Sequence, residues 1–379
     1  MNTSEHSVAV DATIREYVGR QLESDDLVEA LSGESRAGLR QFSLERMMGY
    51  GIDYADAVEL RARVLLGEAW CDAASGLADS ALAQADAHGP SGEVTRAHYL
   101  HRSSALLRMS QAMMLTDTDE RHAIYARAVE LFGAAGELVG DREHVAISTD
   151  NGTLAGWIYP ADRAVAATIV IGGVEGWAMD FQSLGQALAA RGVTALMLDG
   201  PGQGESRFAH GTLMSKRWLT SYRQALDFLE SRAAGMPLGI VGNSMGGGIA
   251  MAVAANDSRI RACCGNGGLG NPGIVPPEIG TFFWKMAGLC GVNDADESIA
   301  VWSSVTPMVE GVNPGYPLLI VHGGKDPMIS TEMVTHLYEN APTQDKRMVV
   351  FSDGDHCIYN HRSDRDALIA DWMRTRLTD

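Results

Sequence analysis

A serine stands between two glycines at Gly242-Asn243-Ser244-Met245-Gly246, where an apolar run over 237–241 gives way to an Ala- and Gly-rich stretch over 245–256. A strand that turns straight into a helix forces its turn residue into a strained conformation, and side chains two positions to either side would collide there. Glycine at 242 and 246 removes them, so the segment reads as a nucleophile elbow that presents the Ser244 hydroxyl. A Gly-rich turn can also join two elements without doing chemistry. The partners therefore decide.

A serine hydroxyl is a weak nucleophile at neutral pH and needs a base, which in turn needs an orienting acid. With an elbow of this type the acid and then the histidine follow the nucleophile in the chain. An apolar strand over 316–322 runs into Gly323-Gly324-Lys325-Asp326, and another over 346–351 runs into Ser352-Asp353-Gly354-Asp355-His356. Asp326 and His356 are thus expected at the same carboxyl edge of a parallel sheet as Ser244. A plain helix cap is the competing role for Asp326, and His361 is the rival of His356. Asp353 and Asp355 lie so near His356 that shaping its turn suits them better.

Attack on a carbonyl also needs fixed donors for the oxyanion. The backbone N–H of Met245, after the nucleophile, is one. The turn Gly172-Gly173-Val174-Glu175-Gly176, after an apolar strand, offers Val174 as the second, with Gly173 as its alternative. Glu175 in that turn is a candidate for contact with substrate. Asp199 is expected to order the loop that follows its strand, with Arg207 binding there too.

The elements that must position these residues form two regions that meet near residue 145. Over 1–145 apolar residues recur at three and four positions, in 55–66, 96–115 and 121–138, which predicts a helical cap or dimerisation domain. Gly89-Pro90-Ser91-Gly92 marks a loop between helices. Over 146–379 the pattern is that of an α/β domain. A hairpin around Asp150-Asn151-Gly152 is followed by strands at 168–171, 193–199, 238–241, 260–265, 318–322 and 348–351, alternating with helices. This predicts a mostly parallel sheet covered on both faces. An insertion over 272–313 carries Phe282, Phe283, Trp284 and Trp302 at helical spacing; Trp284 and Trp302 are taken as candidates to roof an apolar pocket over Ser244.

Composition narrows the function classes. A chain of 379 residues, 46% hydrophobic and 21% charged, is ordinary for a globular protein with two cores. A formal net charge of −18 without a basic patch argues against nucleic acid or an anionic membrane as partner. Met1 to Val10 is polar and no apolar run approaches a spanning length, so a cytoplasmic location is expected. The cysteines at 71, 263, 264, 290 and 357 show neither disulfide nor zinc spacing, and Cys357 is taken as packing. No metal and no cofactor are called for.

Gly172-Gly173-Val174-Glu175, Leu198-Asp199-Gly200-Pro201-Gly202-Gln203-Gly204-Glu205-Ser206, the elbow, His322-Gly323-Gly324-Lys325-Asp326 and Gly354-Asp355-His356-Cys357 together resemble the α/β-hydrolases grouped with 2,6-dihydroxypseudooxynicotine hydrolase. Fermentation-respiration switch protein type esterases and fungal polyketide-shortening hydrolases are relatives of that group. The resemblance implies a triad of Ser244, Asp326 and His356, a helical domain before the core, a homodimer, and in some members hydrolysis of a carbon–carbon bond beside a ketone. Such members use an extra acid downstream of the nucleophile, in the region that here ends at Glu278. Glu278 stands a few positions off that place, leaving it or a residue of the helical domain to supply the carboxylate. The expected ligand is a small carbonyl compound. Ester or thioester hydrolysis and acyl transfer or cyclisation are the alternatives. A binding or scaffold protein with an inactive core is the more distant one.

Overall fold

The computed structural model describes residues 25–379 except 32, 90, 91, 234, 307–311 and 314. The polar amino-terminal decapeptide, the centre of the expected 89–92 loop and part of the 272–313 insertion therefore lie outside the described residues.

Among the described residues eight strands form one sheet: β1 (Glu143–Thr149), β2 (Gly152–Tyr159), β3 (Ala166–Ile171), β4 (Val193–Asp199), β5 (Leu238–Asn243), β6 (Ile260–Asn266), β7 (Leu318–Gly323) and β8 (Lys346–Phe351). Their spatial order is β1-β2-β4-β3-β5-β6-β7-β8. β2 pairs antiparallel with both β1 and β4, and the remaining pairings are parallel. Every residue of β3, β5 and β7 is buried, as expected of strands covered on both faces. From β3 the chain steps to β4 on one side and then returns to β5 on the other. That reversal opens a crevice at the carboxyl ends of β3 and β5, the place where open α/β sheets bind ligands.

Helices precede the strands. Gly33–Gln41, Leu44–Gly49, Tyr54–Leu65, Trp70–Ala87, Glu93–Ser110 and Asp119–Val139 come before β1. Asp53 and Thr118 cap two of them by accepting backbone N–H bonds, and Gly140 ends the last in the left-handed region. Gly33–Gln41, Leu44–Gly49 and the Ala-rich Trp70–Ala87 were not among the expected segments, although the buried residues of the last, Trp70, Ala73, Ala74, Leu77, Ala78, Ala81 and Ala85, recur at three and four positions. Trp70 is completely buried against Phe42, and Gly38 makes the room, since a Cβ there would stand 2.5 Å from the indole.

Two apolar cores result, and each reaches into the other region. Tyr125 and Phe132 of the last amino-terminal helix belong to the sheet's core. Cys357 and Tyr359, which follow His356, belong to the helical one. A Cβ on Gly49 would stand 2.3 Å from the Tyr359 ring, so glycine is what lets the helix Leu44–Gly49 sit on that loop. No helix among the described residues is long and apolar enough to cross a membrane.

Candidate active site

The elbow is built as its glycines require. Ser244 has φ 55° and ψ −128°, a strained region for a side-chain-bearing residue. A Cβ on Gly242 would meet the Gly246 carbonyl oxygen at 1.9 Å, and one on Gly246 would meet that of Gly172 at 2.2 Å. Backbone cannot yield as a flexible side chain can, so neither position tolerates a side chain. The helix Met245–Asn256 then starts directly beneath the serine.

β7 and β8 deliver the other two groups to the same edge. His356 Nε2 lies 2.9 Å from Ser244 Oγ, and its Nδ1 lies 2.7 Å from Asp326 Oδ2. The other oxygen of Asp326 accepts the backbone N–H groups of Met328 and Ile329 at 2.8 and 3.0 Å. Asp326 therefore organises its own turn as well as facing the imidazole, while Ser330 caps the next helix. Burial alone would raise the Asp326 pKa, but the His356 hydrogen bond and charge and those two N–H groups hold it below the usual carboxylate value. Burial works against the imidazolium of His356; Cys357 and the Asp326 carboxylate outweigh it, so the histidine's pKa stands raised. His361 pairs instead with Asp353 at 3.0 Å, and Asp355 accepts the Tyr359 N–H at 2.5 Å, so neither acid meets the imidazole. Cys357 and Ile358 both have positive φ, and the Cys357 side chain is fully buried, which makes it packing.

At the turn expected to carry the second oxyanion donor, the two candidate N–H groups differ in their partners. The Gly173 N–H is turned back to the Gly176 carbonyl at 3.2 Å. Among the hydrogen bonds of the described residues, the N–H groups of Val174 and Met245 have no protein acceptor. A Cβ on Gly173 would come within 2.8 Å of the Ser244 Cβ, so glycine there is needed for closeness to the serine. The turn is clamped from below by Gln203, whose amide donates to the Gly172 and Gly173 carbonyls at 2.9 and 2.8 Å. Asp199 orders that loop as expected, accepting from the N–H groups of Ala178 and Glu205. Arg207 does not bind there; it pairs with Asp117 of the helical region.

A cleft of about 240 Å³ lies over the serine, lined by Gln41, Arg46, Val174, Glu175, Ser244, Ile279, Thr281, Phe282, Met328 and His356. Of the expected pocket residues only Glu175 lines it. Glu278 sits on an exposed single turn, Pro277–Ile279, whose Ile279 reaches the cleft instead. Trp284 is 39% exposed on the outer side of the helix Thr281–Cys290, and Phe282 of the same helix lines the cleft. Trp302 is buried in the core with its indole N–H on the Met286 carbonyl. Helical spacing defines a face, but not what that face meets.

Spacing also left three residues unseen. Glu175 is bound by Gln41, by Arg46 and by Lys285, the first two from the amino-terminal helices and the last from the insertion. Lys285 is buried, which lowers its pKa against the opposing pull of Glu175. A group of His, Cys, Asp or Glu suited to a metal is absent among the described residues.

A mostly parallel sheet with a strained serine at its switch point, preceded by a helical region, defines an α/β-hydrolase fold. A family model described as serine aminopeptidase, S33 matches residues 162–268, the stretch that contains the oxyanion turn and the elbow. The chain is a homologue of the 2,6-dihydropseudooxynicotine hydrolase of Paenarthrobacter nicotinovorans, 26% identical over 86% of this chain and 90% of that one. It is 30% identical to the α/β hydrolase ucsC of an Acremonium species over 56% of this chain and 49% of the other. The crystal structure of 2,6-dihydroxy-pseudo-oxynicotine hydrolase superposes with a TM-score of 0.77 at 24% identity, covering 89% of this chain and 96% of that one. The protein is thus a hydrolase of the α/β class.

Proposed function

We propose that Ser244, His356 and Asp326 act as a catalytic triad that hydrolyses a carbon–carbon bond next to a ketone. The observation that carries the triad is the position of His356, 2.9 Å from the serine oxygen and 2.7 Å from the carboxylate. Ser244 Oγ adds to the carbonyl carbon as His356 takes its proton, and the oxyanion is received by the N–H groups of Val174 and Met245. The bond to the neighbouring carbon then breaks. Its electron pair leaves on that carbon, stabilised as an enolate or by an electron-rich ring, and the carbon takes the proton from His356. Water, deprotonated by the same histidine, cleaves the resulting ester of Ser244.

Relatedness along 86% of the chain to a hydrolase named for a pseudooxynicotine supports the carbon–carbon reading over others. Ester or thioester cleavage uses the same groups with an easier leaving group and is the second reading. Its support is the free pair of oxyanion donors, which serves any acyl transfer.

An aryl β-diketone and a matched aryl ester tested side by side separate the two. The proposal expects diketone cleavage that vanishes in Ser244→Ala, together with a single fluorophosphonate adduct on the wild type alone. Ester turnover with an inert diketone would overturn the carbon–carbon assignment; no adduct and no turnover would overturn the triad.

A further inference from the structure

The run Asp199-Gly200-Pro201-Gly202-Gln203-Gly204-Glu205-Ser206 at the end of β4 supplies no member of the triad and no part of the cleft lining over Ser244. Its glycines fold it tightly. Gly202 and Gly204 both have positive φ, and a Cβ on Gly204 would stand 2.1 Å from an Asp199 carboxylate oxygen. The loop so formed meets the turn over 172–176 at both ends. Asp199 accepts the Ala178 N–H at 2.8 Å just past it, and Gln203 donates to the Gly172 and Gly173 carbonyls at its start.

Gln203 is 2% exposed. Its Oε1 accepts the Gly200 N–H at 2.9 Å, so its Nε2, with two protons, is the atom that faces the two carbonyls. The Gly173 carbonyl and the Val174 N–H belong to one peptide unit. In a planar trans unit these two groups point in opposite directions, so holding the carbonyl on buried Gln203 sends the N–H the other way. The other way is the cleft, which Val174 and Ser244 both line and Gln203 does not. Glycine at 173, needed for closeness to the serine, makes this hold necessary. Without a Cβ the unit rotates easily, and a turned unit would aim the carbonyl oxygen at the serine and the N–H away from it. An oxygen there repels the oxyanion that the N–H would bind.

We infer that Gln203 is a positioning residue for the reaction at Ser244: it holds the peptide unit joining Gly173 to Val174 in the orientation that donates to the oxyanion, without itself touching substrate. The inference deepens the carbonyl-hydrolase reading and rests on it for Ser244 as nucleophile and Val174 as second donor. The glycine-rich loop after β4 then acts on the transition state and not on folding alone.

Gln203→Met keeps the length of the side chain and removes both N–H donors. Loss of one oxyanion donor costs about 10² to 10³ in kcat, so a unit no longer held should lower kcat for an aryl ester by about tenfold or more, with KM within about threefold. Two ketones separate positioning from general damage. Trifluoroacetophenone is attacked at its carbonyl carbon by Ser244 Oγ, the hydroxyl proton passes to His356, and the former carbonyl oxygen becomes the oxyanion. Acetophenone has nearly the same shape and stays a ketone. The inhibition constant of the first should rise by about the factor by which kcat falls, while that of the second stays within about threefold. Gln203→Glu keeps the acceptor for Gly200 and at most one donor for the two carbonyls; it should show the same pattern, and it decides where Gln203→Met does not fold. Wild-type kcat in a folded variant, or equal weakening of both ketones, overturns the inference. A wild type that neither takes the fluorophosphonate nor prefers trifluoroacetophenone to acetophenone overturns the triad, and with it the inference that rests on it.

Discussion

Replacing Asp326 by Asn keeps the shape of the turn and removes the charge that faces His356. The side chain is fully buried and its contact with Nδ1 is 2.7 Å, so the charge acts with little solvent between. Two unit charges about 4 Å apart at an effective dielectric of about 20 interact by about 4 kcal/mol. That is enough to move the imidazole titration by about three pH units. The favoured form is the imidazolium, whereas a general base must be neutral. Activity of the wild type is therefore lost as the pH falls through the raised pKa, and in Asp326→Asn that acid limb moves to lower pH. The plateau nevertheless falls. An Asn amide can hold the ring in the wrong tautomer, and in serine-protease triads this exchange costs about 10⁴ in kcat, about 5.5 kcal/mol of barrier. The assay is kcat/KM for an activated aryl ester from pH 5 to pH 10, with fluorophosphonate labelling as a second readout. The same pair acts on stability with the opposite slope: its contribution is complete below the free-imidazole pKa of about 6.5 and lost as the pH rises through the folded value. A loss below about tenfold with an unmoved acid limb would show that Asp326 is a turn-maker only, and the reasoning from proximity would fail.

A methyl group at Gly246 meets backbone oxygens of Gly172 and Ile171 at 2.2 and 2.8 Å, so Gly246→Ala must push the oxyanion turn away from the serine. A loss in kcat of about 10² or more is expected, from stopped-flow ester hydrolysis, and near-normal turnover would mean that the turn yields freely. Arg108 is 4% exposed and binds Asp180, which is 9% exposed and also accepts the Trp177 N–H. Arg108→Met leaves that carboxylate buried without its cation and should cost about 3–5 kcal/mol in urea unfolding, part of it restored by adding Asp180→Asn; a change below about 1 kcal/mol would refute the role of the pair. Glu278 is exposed and lies outside the cleft lining. Glu278→Gln should keep kcat/KM for the β-diketone within about twofold, and a larger drop would restore it as the extra acid.

The parts of the site that could be read from the chain are those settled by backbone sterics within a few residues. Gly242 and Gly246 announce the elbow because no other residue fits at 1.9 and 2.2 Å from a carbonyl oxygen, a constraint expressed wherever the turn occurs. Asp326 and His356 were legible for a related reason: each follows an apolar strand closely, and parallel strands bring their carboxyl ends to one edge. The helical region before β1 was legible in Tyr54–Leu65, Glu93–Ser110 and Asp119–Val139, but not in the short helices Gly33–Gln41 and Leu44–Gly49 or in Trp70–Ala87, whose buried face is built largely of alanine. The choice between Gly173 and Val174 was not legible, since which of two adjacent N–H groups folds back onto Gly176 depends on the closed turn. The pocket was obscured by distance along the chain. Glu175 meets Lys285 across 110 positions and Gln41 across 134, and no local pattern marks either partner. Trp302 shows the same limit from the other side, because its helical spacing was genuine and its face turned to Met286. Chemistry that one turn can assemble was thus visible in the chain. The lining of the cleft depends on where the helices settle upon the sheet, and the cations that meet at Glu175 and Asp117 come together only through that packing.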